Sequence, residues 1–159
     1  MVILGIDPGS RITGYGVIKK SNKGLGIITY GEIKIGKGES LSRCLKTIYA
    51  GLIEVVEEYT PDVISLEDIF YGKNVKSLIK QGHARGAIIL AAAHSNIPVY
   101  EYTPLEVKKA VVGYGRAEKR QVQYMVKSIF GLPDLPPPDA SDALAIAVCH
   151  SNFLKAVPL

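Results

Sequence analysis

The stretch that decides the fold is VILGIDPGSRITGYGVIKK, residues 2–20 of a 159-residue chain. Its first part, Val2–Ile6, is almost wholly apolar, which predicts a buried central strand. The turn residues Asp7–Gly9 end that strand, and Gly14–Lys20 predicts a second one. After a Ser-Asn-Lys-Gly turn, Gly26–Ile35 predicts a third strand with alternating polarity. The chain therefore opens with a meander of three strands.

The middle of the chain alternates between helix and strand patterns. Apolar residues recur at helical spacing over residues 40–59 and 75–93, which predicts two amphipathic helices. The short apolar runs Asp62–Glu67 and Val99–Thr103 follow these helices and predict two further strands. We therefore expect an α/β fold with a central mixed five-stranded sheet flanked by helices.

The last third of the sequence is predicted to be helical. Thr103 and Glu106 stand three residues apart, which is the pattern of a capping box at a helix start. Residues 117–130 predict a helix, and a final helix is expected from near residue 139 to about residue 154. We take the element order as β-β-β-α-β-α-β-α-α, within a single domain of residues 1–159.

Composition and charge narrow the class of protein. Apolar residues make up 47% and charged residues 21% of the chain, a balance that excludes a disordered protein. The formal net charge of +4 mildly favours a polyanionic partner. Two cysteines, Cys44 and Cys149, are too few for a disulfide framework and indicate a reducing compartment. The longest apolar runs are too short to span a bilayer, so we expect a cytoplasmic protein that is neither exported nor bound to membrane.

Two acidic residues are predicted at the carboxyl ends of strands. Asp7 ends the first strand, and Glu67 ends the strand that follows the first long helix. Ligands of open α/β sheets gather at such strand ends, and the two strands can be neighbours. Asp7 can also be explained as part of a simple Asp-Pro-Gly turn. A charged Glu67 inside an apolar strand is costly unless it is paired or binds metal.

A second pair of acids, Asp139 and Asp142, stands three residues apart at the start of the last helix, so both project from one face. The alternative is structural, because helix N-termini favour acidic residues as caps and in the first turn. If all four acids converge, their repulsion requires cations, and hard oxygen ligands select Mg²⁺ or Mn²⁺. Two such ions roughly 3.5–4 Å apart would support phosphodiester hydrolysis.

Five blocks of the chain form a recognisable series: GIDPGSRITGYGVI, SLEDIFYGKN, QGHARGAIILAAA, TPLEVKKAVVGYGRAEKRQVQYMV and PPPDASDALAIAVCH. In this order and spacing they resemble the RuvC family of bacterial Holliday junction resolvases. This resemblance covers nearly the whole chain and implies a ribonuclease H-like fold. It also implies a homodimer that makes symmetric paired nicks in four-way DNA junctions, using two Mg²⁺ ions per active site, in recombination and DNA repair. The branch-migration proteins RuvA and RuvB are implied as partners.

The resemblance also implies roles for individual residues. The four metal-binding acids of the family fall on Asp7, Glu67, Asp139 and Asp142. Two essential lysines near the DNA backbone fall on Lys108 and Lys119, and an aromatic ring placed against DNA bases falls on Phe70. Asp68 departs from the family pattern, in which this position is uncharged or basic, and we expect a small electrostatic effect there.

Further basic and aromatic residues surround these positions and are candidates for DNA contact. They are Tyr71, Lys73, Lys76, Lys80, Lys109, Arg116 and Arg120. The alternative for the basic residues is a solvated helix face, and the alternative for Tyr71 is the protein core. Gly82 and Gly86, four residues apart on an apolar helix, allow a close approach either to the protein's own sheet or across a two-fold interface.

Three other functions are weighed against the nuclease. A phosphotransferase of the actin and sugar-kinase fold shares the strand arrangement, but it needs a duplicated domain for which this chain has no room. A non-catalytic DNA-binding relative would have no reason to keep four mutually repelling acids. A short family proposed to process RNA ends also begins G-x-D-x-G, but its later blocks differ from those found here.

Overall fold

Five strands form one sheet: β1 (Val2–Asp7), β2 (Ile12–Ser21), β3 (Gly24–Lys34), β4 (Val63–Glu67) and β5 (Val99–Tyr102). The computed structural model describes residues 1–69, 71 and 74–156. Residues 155 and 156 are described only as helix backbone. The strand order is β3-β2-β1-β4-β5. Strand β1 lies antiparallel to β2 and parallel to β4, and β4 is parallel to β5. The predicted mixed five-stranded sheet with an antiparallel start is confirmed.

Five helices are found in the part of the chain that the structure describes: α1 (Leu41–Tyr59), α2 (Val75–His94), α3 (Pro104–Val112), α4 (Lys119–Phe130) and α5 (Pro138–Ala156). Three of them follow β5, so the predicted order, with two helices there, was wrong by one helix. The capping box of Thr103 and Glu106 begins α3, as expected. Gly113 then ends it in a left-handed conformation with φ of 95°, which separates α3 from α4. None of the described helices is both long and apolar enough to cross a membrane.

The sheet carries a hydrophobic core on each face. On one face, Leu4, Ile6 and Ile64 pack against buried residues of α1 and α2. On the other face, Ile3 and Ile18 pack against α3, α4 and α5. Residues alternate between the two faces along each strand, which is why neighbouring residues of β1 belong to different cores. Helix α5 is buried almost throughout, which fits its unbroken apolar run and its place at the centre of the molecule.

Helix α5 lies directly on β1 and β2 because glycines remove the side chains between them. A Cβ at Gly5 would overlap the backbone oxygen of Ala143, and a Cβ at Gly14 would overlap that of Asp139. The first turn of α5 can therefore approach β2 more closely than any other residue type would allow. This close contact fixes where the acids at the start of α5 lie.

Candidate metal centre

Asp7 and Glu67 lie side by side at one edge of the sheet. The parallel register pairs Ile6 with Leu66, so the next residue of each strand, Asp7 and Glu67, ends its strand at the same edge. The sequence prediction that these acids sit on neighbouring strands is confirmed. Both are partly buried rather than solvated, which makes their negative charges costly.

The start of α5 brings two more acids to this edge. Carboxylate oxygens of Asp7, Asp139 and Asp142 all lie within 4.8 Å of one another. Asp139 is in the first turn, one residue after Pro138 begins the helix, so it does not occupy the cap position. Glu67 is not a member of this group of three, although its pKa responds to the charge of Asp142.

Two lysines face the acids from neighbouring helices. Lys119 is the first residue of α4, and its Nζ lies 2.6 Å from Asp142 and 3.9 Å from Asp139. Lys108, from α3, lines a cleft of about 230 Å³ together with Glu67, Asp142 and Lys119. The structure therefore brings both predicted lysines to the predicted acids.

Asp7, Glu67 and Asp142 hold their protons more tightly than isolated carboxyl groups do. Burial, with the charges of Glu67 and Asp142, raises the pKa of Asp7 from 3.8 to about 8. Burial, with the charge of Asp142, raises the pKa of Glu67 from 4.5 to about 7, although Lys119 and Lys108 oppose the rise. Burial also raises the pKa of Asp142 despite its hydrogen bond from Lys119. Without added positive charge, the surroundings of Asp7, Glu67 and Asp142 therefore favour the protonated over the ionised form of these carboxyl groups.

The donor set fits a hard divalent cation. Burial lowers the pKa of Lys119, but its hydrogen bond to Asp142 and the surrounding carboxylate charges raise it overall, so this ammonium stays charged beside the acids. The ammonium group of Lys119 is thus a positive charge that the site already holds next to Asp139 and Asp142. The group of three contains only carboxylate oxygens and no Cys or His, the ligand type that Mg²⁺ and Mn²⁺ prefer.

Arg85 secures the end of the strand that carries Glu67. It is only 6% exposed, and it donates hydrogen bonds to the backbone oxygen of Glu67 and to the carboxylate of Glu101. It also lies 3.6 Å from Asp68. The unusual acid beside Glu67 therefore lies next to the positive charge of a buried arginine from α2.

The remaining described candidates for DNA contact are exposed. Tyr71 is 88% exposed, so the alternative of a core position is wrong. The exposed lysines and arginines lie on or between helices at Lys76, Lys80, Lys109, Arg116 and Arg120. The guanidinium of Arg120 already lies over the ring of Tyr124, 5.8 Å from its centroid. The predictions for Phe70 and Lys73 lie outside the described residues.

Sequence analysis missed the glycines that assemble this site. Gly5 and Gly14 were interpreted only as strand residues, yet they allow α5 to place Asp139 and Asp142 beside Asp7. The available signal was a glycine inside a strand pattern, which often marks a close backbone approach. It does not say which helix approaches.

Comparison with known proteins gives one consistent family. A family model described as "Crossover junction endodeoxyribonuclease RuvC" matches residues 3–150. A protein of that name from Desulforamulus reducens is 49% identical over 154 residues, covering 96% of this chain and 94% of the relative. Another, from Geotalea uraniireducens, is 53% identical over 152 residues, covering 96% of this chain and 89% of the relative.

A solved structure agrees with the fold. RuvC of Thermus thermophilus in complex with a Holliday junction substrate superposes with a TM-score of 0.91 at 34% sequence identity. The match covers 98% of this chain and 96% of that protein. The predicted ribonuclease H-like fold is confirmed by this match.

Proposed function

Because the chain belongs to the RuvC family of crossover junction endodeoxyribonucleases, we propose that it resolves four-way (Holliday) DNA junctions by paired, symmetric hydrolysis of phosphodiester bonds. Recombination and DNA repair generate such junctions, so we propose that the protein acts in these processes. We also propose that it works in the cytoplasm. Residues 1–159 act as a single nuclease domain.

The observation that carries this proposal is the convergence of acids from three separate elements. Asp7 comes from β1, Glu67 from β4, and Asp139 and Asp142 from α5. A structural role for each acid alone does not explain why β1 and α5 bring three carboxylates within 4.8 Å of one another. A site for divalent cations explains this arrangement, because the ions bind to the same negative charges that destabilise the metal-free protein.

We assign metal binding to all four acids, with two Mg²⁺ ions per site and Mn²⁺ as a substitute. When bound, these ions supply the positive charge that lowers the pKa of water and neutralises charge developing on the scissile phosphate. The raised pKa values of Asp7 and Glu67 mean that their carboxyl groups must lose protons before they can serve as ligands.

Lys108 and Lys119 add fixed positive charge at the mouth of the site. Both line the cleft that contains Glu67 and Asp142, so a phosphate that enters it meets two ammonium groups. Such charges orient a phosphodiester and lower the energy of its transition state. Phe70, Tyr71 and Lys73, together with Lys76, Lys80, Lys109, Arg116 and Arg120, remain our candidates for contacts with the junction arms.

A homodimer would supply the two opposed active sites that paired nicks require. Helix α2 exposes Ile79 and Leu90, with exposed fractions of 53% and 50%. No described atom lies within 4 Å of a Cβ built at Gly86, which argues against the alternative that this glycine packs on the protein's own sheet. We therefore propose α2 as the two-fold interface, and Gly86→Arg should give a monomer by sedimentation equilibrium. A variant that stays dimeric would place the interface elsewhere.

The family resemblance further implies cooperation with the branch-migration proteins RuvA and RuvB. We propose that such proteins move the junction along DNA before this protein cuts it.

Cleavage of a synthetic four-way junction tests the proposed function. The substrate and a linear duplex of the same arm sequence are incubated with the protein in Mg²⁺ and in EDTA. We expect paired symmetric nicks in the junction only, and only with Mg²⁺. Tight junction binding without nicks under any metal would indicate a non-catalytic DNA-binding module. The absence of both junction binding and nicking would overturn the proposal.

A further inference from the structure

A second cleft lies at the same edge of the sheet as the acids. Strands β1 and β3 both run toward this edge because each is antiparallel to β2. The loops that follow them therefore meet, and the backbone N–H of Ile35 donates to the backbone oxygen of Arg11 at 2.9 Å. Together with α1 and α2, these loops enclose a cleft of about 420 Å³. The cleft faces the α1 and α2 side, whereas the acids face α5.

The rim of this cleft is positively charged. Arg11 comes from the loop after β1, Lys37 from the loop after β3, and Lys80 from α2. Among the described residues that line the cleft, Glu39 is the one with a carboxylate, so cations outnumber acids there by three to one. Within the described parts of the chain, none of the three cations forms a salt bridge. Three uncompensated cations from three segments favour an anionic ligand.

The floor of the cleft is apolar. Leu45, Ile48 and Ala84 line it, and Ile48 and Ala84 are each only 1% exposed. A phosphate group alone would gain nothing from these side chains. A whole nucleotide presents both an anionic phosphate and a flat, largely apolar base, and the cleft volume lies in the range of sites that hold small ligands.

We propose that this cleft binds one unstacked nucleotide of the DNA strand that enters the acid cluster. Its phosphate lies among Arg11, Lys37 and Lys80, and its base lies against the apolar floor. The proposal rests on the proposed function and names a subsite for that substrate. Unstacking costs least where bases are not fully paired, as at a branch point.

The spacing allows one strand to reach both sites. Arg11 follows Asp7 by four residues, so even a fully extended chain separates them by at most roughly 14 Å. That distance corresponds to the rise of about four base pairs along one strand. A nucleotide held in the cleft would thus fix the position of the scissile phosphate relative to the acids.

Cys44 provides a direct probe, because it lines the cleft and is partly exposed, whereas Cys149 is fully buried. The rate of Cys44 alkylation by N-ethylmaleimide is measured by mass spectrometry in EDTA, with and without the junction. We expect alkylation to slow about tenfold when the junction is present at ten times its Kd. Linear duplex at equal occupancy should not protect, and Cys44→Ser should remove the label. An unchanged rate with the junction, or equal protection by duplex, would overturn the proposal.

Two substitutions separate a nucleotide pocket from a general charge effect. Cys44→Phe fills the floor and leaves the cations in place, so it should weaken junction binding about tenfold without changing the salt dependence of binding. Arg11→Ala should weaken binding and reduce the salt slope by about one. Lys23→Ala, in the exposed turn between β2 and β3 at the opposite edge, is the matched control and should change neither.

The outcomes also distinguish this proposal from the proposed function. A wild-type protein that cuts the junction while Cys44 reacts at an unchanged rate overturns the cleft alone. Unaltered junction affinity in both Cys44→Phe and Arg11→Ala, with melting temperatures near that of the wild type, does the same. A wild-type protein that neither binds nor cuts the junction overturns the proposed function instead.

Discussion

Replacing Asp7 with Asn should stabilise the metal-free protein, and the gain should grow with pH. The pKa of Asp7 rises from 3.8 to about 8 through burial and through the charges of Glu67 and Asp142. An acid with a higher pKa in the folded protein contributes stability that is present below about pH 4 and is lost as the pH rises through about 8. Asn carries no charge at any pH, so the variant escapes this loss.

The size of the effect follows from the same pKa change. Each tenfold change in the dissociation constant corresponds to about 1.4 kcal/mol, so the complete loss over the rise from 3.8 to about 8 is about 6 kcal/mol. Asp7 is partly exposed, and solvent screening reduces this by about half. We expect Asp7→Asn to raise the free energy of unfolding by about 3 kcal/mol at pH 8 and by less than about 1 kcal/mol at pH 5. At pH 8 this corresponds to a rise in Tm of roughly 6–12 °C.

Thermal and urea unfolding in EDTA at the two pH values measures this difference. Asp134→Asn is the matched control, because Asp134 is exposed and makes no salt bridge within the described residues. It should change the free energy of unfolding by less than about 0.5 kcal/mol. Saturating Mg²⁺ should stabilise the wild type more than the Asp7→Asn variant. A lower stability of Asp7→Asn in EDTA at pH 8 would show that Asp7 is a structural residue, and the repulsion argument would be wrong.

Three further changes test how the site is held together. Lys119→Met removes the ammonium group that lies 2.6 Å from Asp142. Urea unfolding in EDTA at pH 8 should show a free energy of unfolding about 1 kcal/mol lower than that of the wild type. A higher free energy of unfolding would contradict the role of Lys119 as a counter-charge. Gly14→Ala should lower the free energy of unfolding by about 1–3 kcal/mol and impair cleavage, because α5 must move to make room for the new Cβ. Gly26→Ala is the control, because its Cβ meets no described atom within 4 Å, and it should preserve cleavage. Equal activity of the two glycine variants would refute the docking argument. Arg85→Met should cost about 2–3 kcal/mol in thermal unfolding because it leaves one acceptor on β4 and one on β5 without their donor. A change within error would refute this.

The sheet and its acids were predictable because they depend on local patterns and general topology. The apolar run of Val2–Ile6 specifies a buried strand, and a strand after one crossover helix commonly pairs beside the first. Asp7 and Glu67 then meet at one edge, since parallel strands end together. The three-residue spacing of Asp139 and Asp142 likewise follows from helix geometry alone.

The contacts that bring α5 and Lys119 to the site were not predictable, because they depend on packing between residues far apart in the sequence. Nothing near Gly14 in the sequence indicates that its missing Cβ makes room for the backbone of Asp139, which is more than one hundred residues away. The pairing of Lys119 with Asp142 depends in the same way on how α4 and α5 pack together. The start of α3 was predicted from its capping box, but the predicted element order did not count its nine residues as a helix separate from the one that follows.

The central claim is that four acids form one metal-dependent catalytic site that is separable from DNA binding. The most direct measurement is single-turnover junction cleavage in Mg²⁺ by the wild type and by Asp7→Asn, Glu67→Gln, Asp139→Asn and Asp142→Asn, with junction affinity measured for each in EDTA. We predict that all four variants lose cleavage and bind the junction at least as tightly as the wild type, because none of the substitutions adds negative charge near the DNA backbone. A variant that cleaves at the wild-type rate, or a parallel loss of cleavage and binding in a variant that remains folded, would contradict the account.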